Sequence, residues 1–329
     1  MQIQLQENWQ RQIAEAVTSP TELGNLLNLP ANWVAQHSQA RSLFPMRVPR
    51  HFISLMQEGN PVDPLLLQVM PNRDEFNEVS GFSHDPLVEN DAASTSGMLH
   101  KYESRVLLIF RGGCAVNCRY CFRRHFPYQE HHLTQQKWAT IEAYILAHPE
   151  VNEVILSGGD PLMASDAHLI KAAQKLAKLP QIKRLRIHSR LPIVIPDRLT
   201  KTLAEQLQAT KLQIILVVHA NHPREISSAL KTKLQIWQQH GITLLNQSVL
   251  LAGVNDDAEV LAELSEELFA AGILPYYLHQ LDKVAGAAHF QVEDKKALAI
   301  QAQLLKLLPG FLVPKLVREI GGEASKTPL

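Results

Sequence analysis

The sequence predicts an α/β fold: an open, partial (β/α)6 barrel preceded by a mainly helical cap. Three observations carry this expectation. Short apolar runs rich in Val, Ile and Leu recur through residues 96–329, each fit for a strand buried on both faces. Amphipathic stretches lie between them, and strand alternating with helix implies right-handed parallel βα units. The units number about six, too few to close an eight-fold barrel, so the reacting groups belong at the C-terminal ends of the strands of an open one.

The elements follow in order. Residues 1–95 read as the cap and 96–329 as the barrel. Ser19-Pro20-Thr21-Glu22 combines a capping box with proline at the first helical position, and the helix it opens ends before Pro30. Prolines at 45, 49, 61, 64 and 71 cut the next stretch into short pieces, and Glu89 to Gly97 reads as a polar connecting loop. Strands are expected at Val106 to Phe110, Val154 to Leu156, Arg184 to His188, Gln213 to Val218, Thr243 to Leu250 and Leu274 to His279. Leu169, Ile170, Ala173, Leu176 and Ala177 give Ala167 to Leu179 a helical stripe. A further helix opens at Asn255-Asp256, with Glu259 as the return partner of the cap.

Lys plus Arg and Asp plus Glu both number 32 among 329 residues, so no global field draws the chain to nucleic acid or to a membrane surface. Met1 to Val17 is polar, unlike a signal peptide, and no apolar run reaches transmembrane length. A cytoplasmic location is expected, where thiols stay reduced.

Cys114, Cys118 and Cys121 are the only cysteines, spaced C-x3-C-x2-C. Three thiolates so placed can hold three corners of a 4Fe–4S cluster and leave one iron to a non-protein ligand. A vacant iron suits chemistry better than electron storage. A disulfide would strand one thiol. Structural zinc normally takes four protein ligands, and His125, His131 or His132 could supply the fourth, so zinc is the alternative of weight. The spacing, with Arg119-Tyr120 between the last two cysteines, resembles the radical S-adenosylmethionine (SAM) superfamily. That resemblance implies SAM chelating the open iron and being cleaved reductively there.

Leu156-Ser157-Gly158-Gly159-Asp160-Pro161 directly follows a strand candidate. Alone it reads as a tight turn, although its glycines would also let backbone approach a ligand closely. It resembles the superfamily's glycine-glycine-acid segment, which implies that Ser157, Gly158, Gly159 and Asp160 bind SAM.

A narrower resemblance rests on an ordered set of phrases. These are Cys121-Phe122-Arg123-Arg124-His125-Phe126, Leu156 to Leu162, Val218 to Pro223, Asn246 to Asn255 and His279 to Phe290. From about residue 80 onward the set is similar to the lysine 2,3-aminomutase family, and most to its short branch that makes β-lysine for modifying elongation factor P. Members use pyridoxal 5′-phosphate (PLP) together with SAM. The resemblance implies that Lys326, after Gly321 and Gly322, is the PLP lysine, which needs a free amine to form a Schiff base. Without it, Lys326 reads as an exposed residue near a terminus. Lys101, Tyr102 and Arg105 match the PLP-phosphate segment, and read alone are surface charges at a strand start. His219 and Gln247 match positions near SAM, where satisfied core polar residues are the plain alternative.

For the substrate, Arg123 matches a carboxylate-binding arginine, while Arg124 beside it could instead be a structural ion-pair partner. Asp282 and Glu319 match two acids that hold a distal ammonium, Glu319 being one methylene longer than the family's aspartate. Two acids around one pocket call for a cationic substrate such as L-lysine, whereas a glutamate-specific relative should carry basic or neutral groups there. The resemblance thus implies an isomerase turning L-lysine into β-lysine. Its partners would be a reductant such as flavodoxin or ferredoxin, and elongation factor P with its lysyl-transferring ligase. Rival readings are a radical SAM enzyme for another amino acid such as glutamate, and a non-catalytic iron–sulfur protein. Longer members bind zinc between subunits through a cysteine-bearing tail. This chain has no cysteine to spare, so no structural zinc is expected and a homo-oligomer is left open.

Overall fold

The computed structural model describes residues 8–89, 97–128, 135–323 and 325–329. Residues 90–96 of the expected connecting loop, and His131 and His132, lie outside the described residues. Nine strands form one sheet in strict sequence order. They are β1 (Met98–Tyr102), β2 (Arg105–Arg111), β3 (Glu153–Gly158), β4 (Arg184–Ser189), β5 (Gln213–Val218), β6 (Thr243–Val249), β7 (Leu274–His279), β8 (Lys315–Arg318) and β9 (Thr327–Pro328). β2 to β8 run parallel, while β1 and β9 pair antiparallel at the two edges. β1 and β9 do not pair with each other, so the barrel stays open. All six expected strands are present within a residue or two. The short edge strands and a seventh parallel strand, β8, are additions.

The parallel strands form because nearly every second side chain is a large apolar one. Val106, Leu108 and Phe110 on β2, Leu156 on β3, and Leu185 and Ile187 on β4 join one core with the covering helices. Each such fully buried side chain stabilises by about 1.5–3 kcal/mol. With a period of two, the intervening residues face the other side of the sheet. There they turn polar toward the strand C-termini: Ser157, Arg186, His188, Gln247 and His279.

The cap is helical at Asn8–Ala14, Pro20–Leu26 and Ala31–Ser38, with short helical turns beyond. Trp9, Leu23, Phe52 and Leu65 belong to the same core as the strands. Ser19 caps its helix, accepting from Glu22 N at 3.4 Å. The reciprocal half of the expected box is missing, because the Glu22 carboxylate instead accepts from Arg50 at 2.9 Å. The helix at Ala258–Ala270 is capped by Asp257 rather than Asp256: Asp257 accepts from Glu259 N at 2.8 Å and Val260 N at 3.2 Å. Asp256 instead accepts from Gly253 N at 2.8 Å and pairs with Lys296. A strap leading to Glu89 reaches the loop after β7 through a Ser83–Val284 bridge.

Candidate active site

The cysteine loop leaves β2 through Arg111-Gly112-Gly113 and is held from the cap side. Arg47 donates to the Cys114 carbonyl at 3.0 Å, and Arg119 N donates to the Gln68 carbonyl at 2.8 Å. Behind the loop, Arg119 and Arg124 share the buried Glu75 carboxylate. Arg124 is therefore a structural ion-pair partner, which leaves Arg123 as the arginine facing the site. Cys114, Cys118 and Cys121 are all free thiols. Burial first, then repulsion from Cys118, pushes Cys121 up to about 11, and burial and Cys121 hold Cys114 well above its ordinary value. Three mutually repelling sulfurs are what a polynuclear cation would stabilise. No three His, Cys, Asp or Glu side chains converge for a single ion among the described residues, and His125 Nε2 lies 3.2 Å from the Ala285 carbonyl instead. The cysteines thus fit a cluster better than zinc.

β3 delivers Ser157-Gly158-Gly159-Asp160 onto this loop. Gly158 has φ +117°, and a Cβ there would lie 2.4 Å from the Arg111 carbonyl oxygen. A Cβ on Gly159 would lie 2.7 Å from the Gly113 oxygen. Both glycines therefore admit the chain's own backbone, pressing the turn against the cysteine loop, with Asp160 N donating to Gly113 O at 2.9 Å. The Asp160 carboxylate differs from expectation as well. It accepts from Ser189 Oγ at 2.7 Å and from the backbone N–H groups of Leu162, Arg190 and Leu191 at 2.9 Å each. Four donors fill a carboxylate's lone-pair directions, so its role is to clasp β3 to β4. Ser157 Oγ accepts from Arg123 at 3.1 Å.

Arg190, just past β4, is a residue the sequence reading missed. It is buried, and one Nη donates to Gln68 at 2.7 Å. Its Nε and other Nη have no partner. The Nη that meets Gln68 also lies 3.4 Å from Glu225, and the Arg190 charge lowers both the Cys118 thiol and the His219 imidazole. Two unpartnered buried N–H groups of a guanidinium could each donate to the carboxylate of an amino-acid sulfonium such as SAM. Its position at a strand's C-terminal end was the available signal. His219 and Gln247 hydrogen-bond each other across β5 and β6. Burial keeps His219 down at about 3 and His188 and His279 well below their ordinary range, so all three rings are neutral.

Lys101, Tyr102, Arg105 and Glu319 line one cavity together with Glu89. Lys326 is ion-paired to Glu319 and lies 5.7 Å from the centre of the Tyr277 ring. Lys101 reaches Glu319 at 3.5 Å, and Tyr102 donates to it at 3.3 Å. The Arg105 guanidinium stacks 4.1 Å above the Tyr102 ring and has no carboxylate partner among the described residues. Two cations and a phenol around one space suit a phosphate dianion, so this donor set fits PLP. Asp282 is pushed up to about 7 by burial and then by Glu319. The second missed residue is Glu89. Its buried carboxylate accepts from Arg123 Nε at 2.7 Å and from Lys101 at 2.9 Å. It stood in an apparent loop, and no spacing links it to partners that only the fold brings near.

Comparison with known proteins agrees with this geometry. The family model of the Radical SAM superfamily matches residues 108–264. The L-lysine 2,3-aminomutase of Escherichia coli (strain K12) is 55% identical over 98% of this chain and 94% of its own length. The chain belongs to the lysine 2,3-aminomutase family. The Haemophilus influenzae member is 50% identical over 99% of this chain and 96% of its own length. The L-lysine 2,3-aminomutase of Clostridium subterminale is 33% identical over 98% of this chain but only 77% of itself. Membership accounts for the open radical SAM barrel.

Proposed function

We propose that the protein is an isomerase that moves the α-amino group of L-lysine to the β-carbon, giving β-lysine. One observation supports the reading: Lys326 pairs with Glu319, which Lys101 and Tyr102 also reach, while three free cysteines stand on the loop after β2. Cys114, Cys118 and Cys121 would hold a 4Fe–4S cluster, with Arg190 and the turn after β3 beside SAM. Lys326 would tether PLP, with Lys101, Tyr102 and Arg105 at its phosphate. Bound there, cluster and SAM supply one-electron hydrogen abstraction, and PLP supplies the carbonyl that carries the migrating nitrogen.

The chain's own residues bind, orient and shield. Arg123 is buried, with Glu89 across Nε and one Nη and with Ser157 and the Gly158 carbonyl on the other Nη, so a substrate carboxylate would share or displace one of these partners. Asp282 and Glu319 set the sign of the substrate's far end, since an unpaired buried charge costs several kcal/mol. Neutral His188, His219 and His279 line the chamber without adding competing charge. A flavodoxin or ferredoxin is the class of reductant, the cytoplasm the place, and elongation factor P with its ligase the consumer of β-lysine.

The test is anaerobic reconstitution with iron, sulfide, PLP and SAM, followed by product analysis over a panel of amino acids. β-Lysine should form from L-lysine, with no β-glutamate from glutamate. The reverse preference would assign the pocket to an acidic substrate.

A further inference from the structure

Resting on the aminomutase reading, we propose that Glu319 is a charge gate that withholds one of the amine subsite's two carboxylates until PLP is loaded. The pocket sets Glu89, Asp282 and Glu319 against Arg123, Lys101 and Lys326. Glu89 holds Arg123 at 2.7 Å and Lys101 at 2.9 Å. Glu319 holds Lys326, and Lys101 stands 3.5 Å away. The Asp282 carboxylate has no hydrogen-bond or ion-pair partner among the described residues, and the Glu319 charge raises it. An amine arriving now could pair with Asp282 alone, and could reach Glu319 only by displacing Lys326.

The two cations on Glu319 are the two that PLP requires. Lys326 must lose a proton to solvent, bond through its nitrogen to the carbonyl carbon and expel the carbonyl oxygen as water. Lys101, with Arg105, is drawn to the phosphate dianion. Both moves strip Glu319 of its counter-charges. Glu319 and Asp282 then face one space without a cation, an arrangement that the distal ammonium of a diamino acid relieves. Amine recognition is thereby coupled to cofactor occupancy, through a single carboxylate serving two partners in turn.

The probe is N-methyl-ε-aminocaproate, which is cationic at one end and, as a secondary amine, forms no neutral imine with PLP. Its binding is measured by equilibrium dialysis on the cluster-bearing enzyme with and without PLP. Borohydride reduction and peptide mass report the state of Lys326. Affinity should rise about ten-fold on loading. Lys326→Met without PLP should also bind more tightly than unloaded wild type, and Glu319→Gln should abolish the difference. The wild-type comparison needs no variant to fold. Reduced cofactor on Lys326 with unchanged affinity overturns the gate alone. No cofactor on Lys326 overturns the cofactor assignment and the gate with it.

Discussion

Asp282 shows how much one buried carboxyl determines. Burial first, and the Glu319 carboxylate second, push it up to about 7, well above a free aspartate. It is thus half protonated near neutrality and ionised above it, whereas a lysine ammonium keeps its proton throughout. Amine binding should therefore strengthen as pH rises through about 7, by up to about ten-fold per unit shift. Asp282→Asn should flatten that profile. A profile that survives the substitution would remove Asp282 from the amine site. The three cysteines could be singled out from the chain because their chemistry is tied to local spacing, whereas Lys326 stood out only through the family resemblance. Glu89 and Arg190 could not, since their roles arise only from partners distant in sequence.

Elements place these groups, and two contacts set that placement. Gly158 lets β3 press against the exit of β2, with backbone where a side chain would stand. Gly158→Ala should force the turn away from the cysteine loop, so reconstituted iron content and SAM affinity should both fall. Retention of both would show that the close approach is dispensable. Glu75 neutralises Arg119 and Arg124 behind the same loop. Glu75→Gln should cost about 3–5 kcal/mol, read from a denaturant midpoint, because two arginines would lose their buried counter-charge. A change within about 0.5 kcal/mol would mean that water reaches the triad. The parallel strands were legible because a strand covered on both faces is a continuous apolar run. β1, β8 and β9 escaped notice: β1 carries His100 and Lys101, and the other two are only four and two residues long. Asp257 rather than Asp256 caps its helix because the cap is chosen by backbone geometry, and adjacent aspartates cannot be told apart by composition.

Across the whole molecule, the site is a convergence of distant segments. The cap supplies Glu75 and Glu89, β2 leads into the cysteines, Arg190 follows β4, and Lys326 immediately precedes β9. Cap and barrel share one core, so the clamp on the cysteine loop and the wall of the chamber are stabilised together. This arrangement places the carboxylates Glu89 and Glu319 beside the cations Lys101 and Lys326 in a charge-balanced protein. It also sets the central claim: nitrogen migrates within one substrate molecule inside one chamber. The measurement is turnover of L-lysine labelled with nitrogen-15 at the α-amino group, using anaerobically reconstituted enzyme in the presence of unlabelled ammonium. β-Lysine carrying the label at its β-nitrogen is the predicted product. β-Lysine with unlabelled β-nitrogen, or none despite bound cluster, SAM and PLP, would contradict the account.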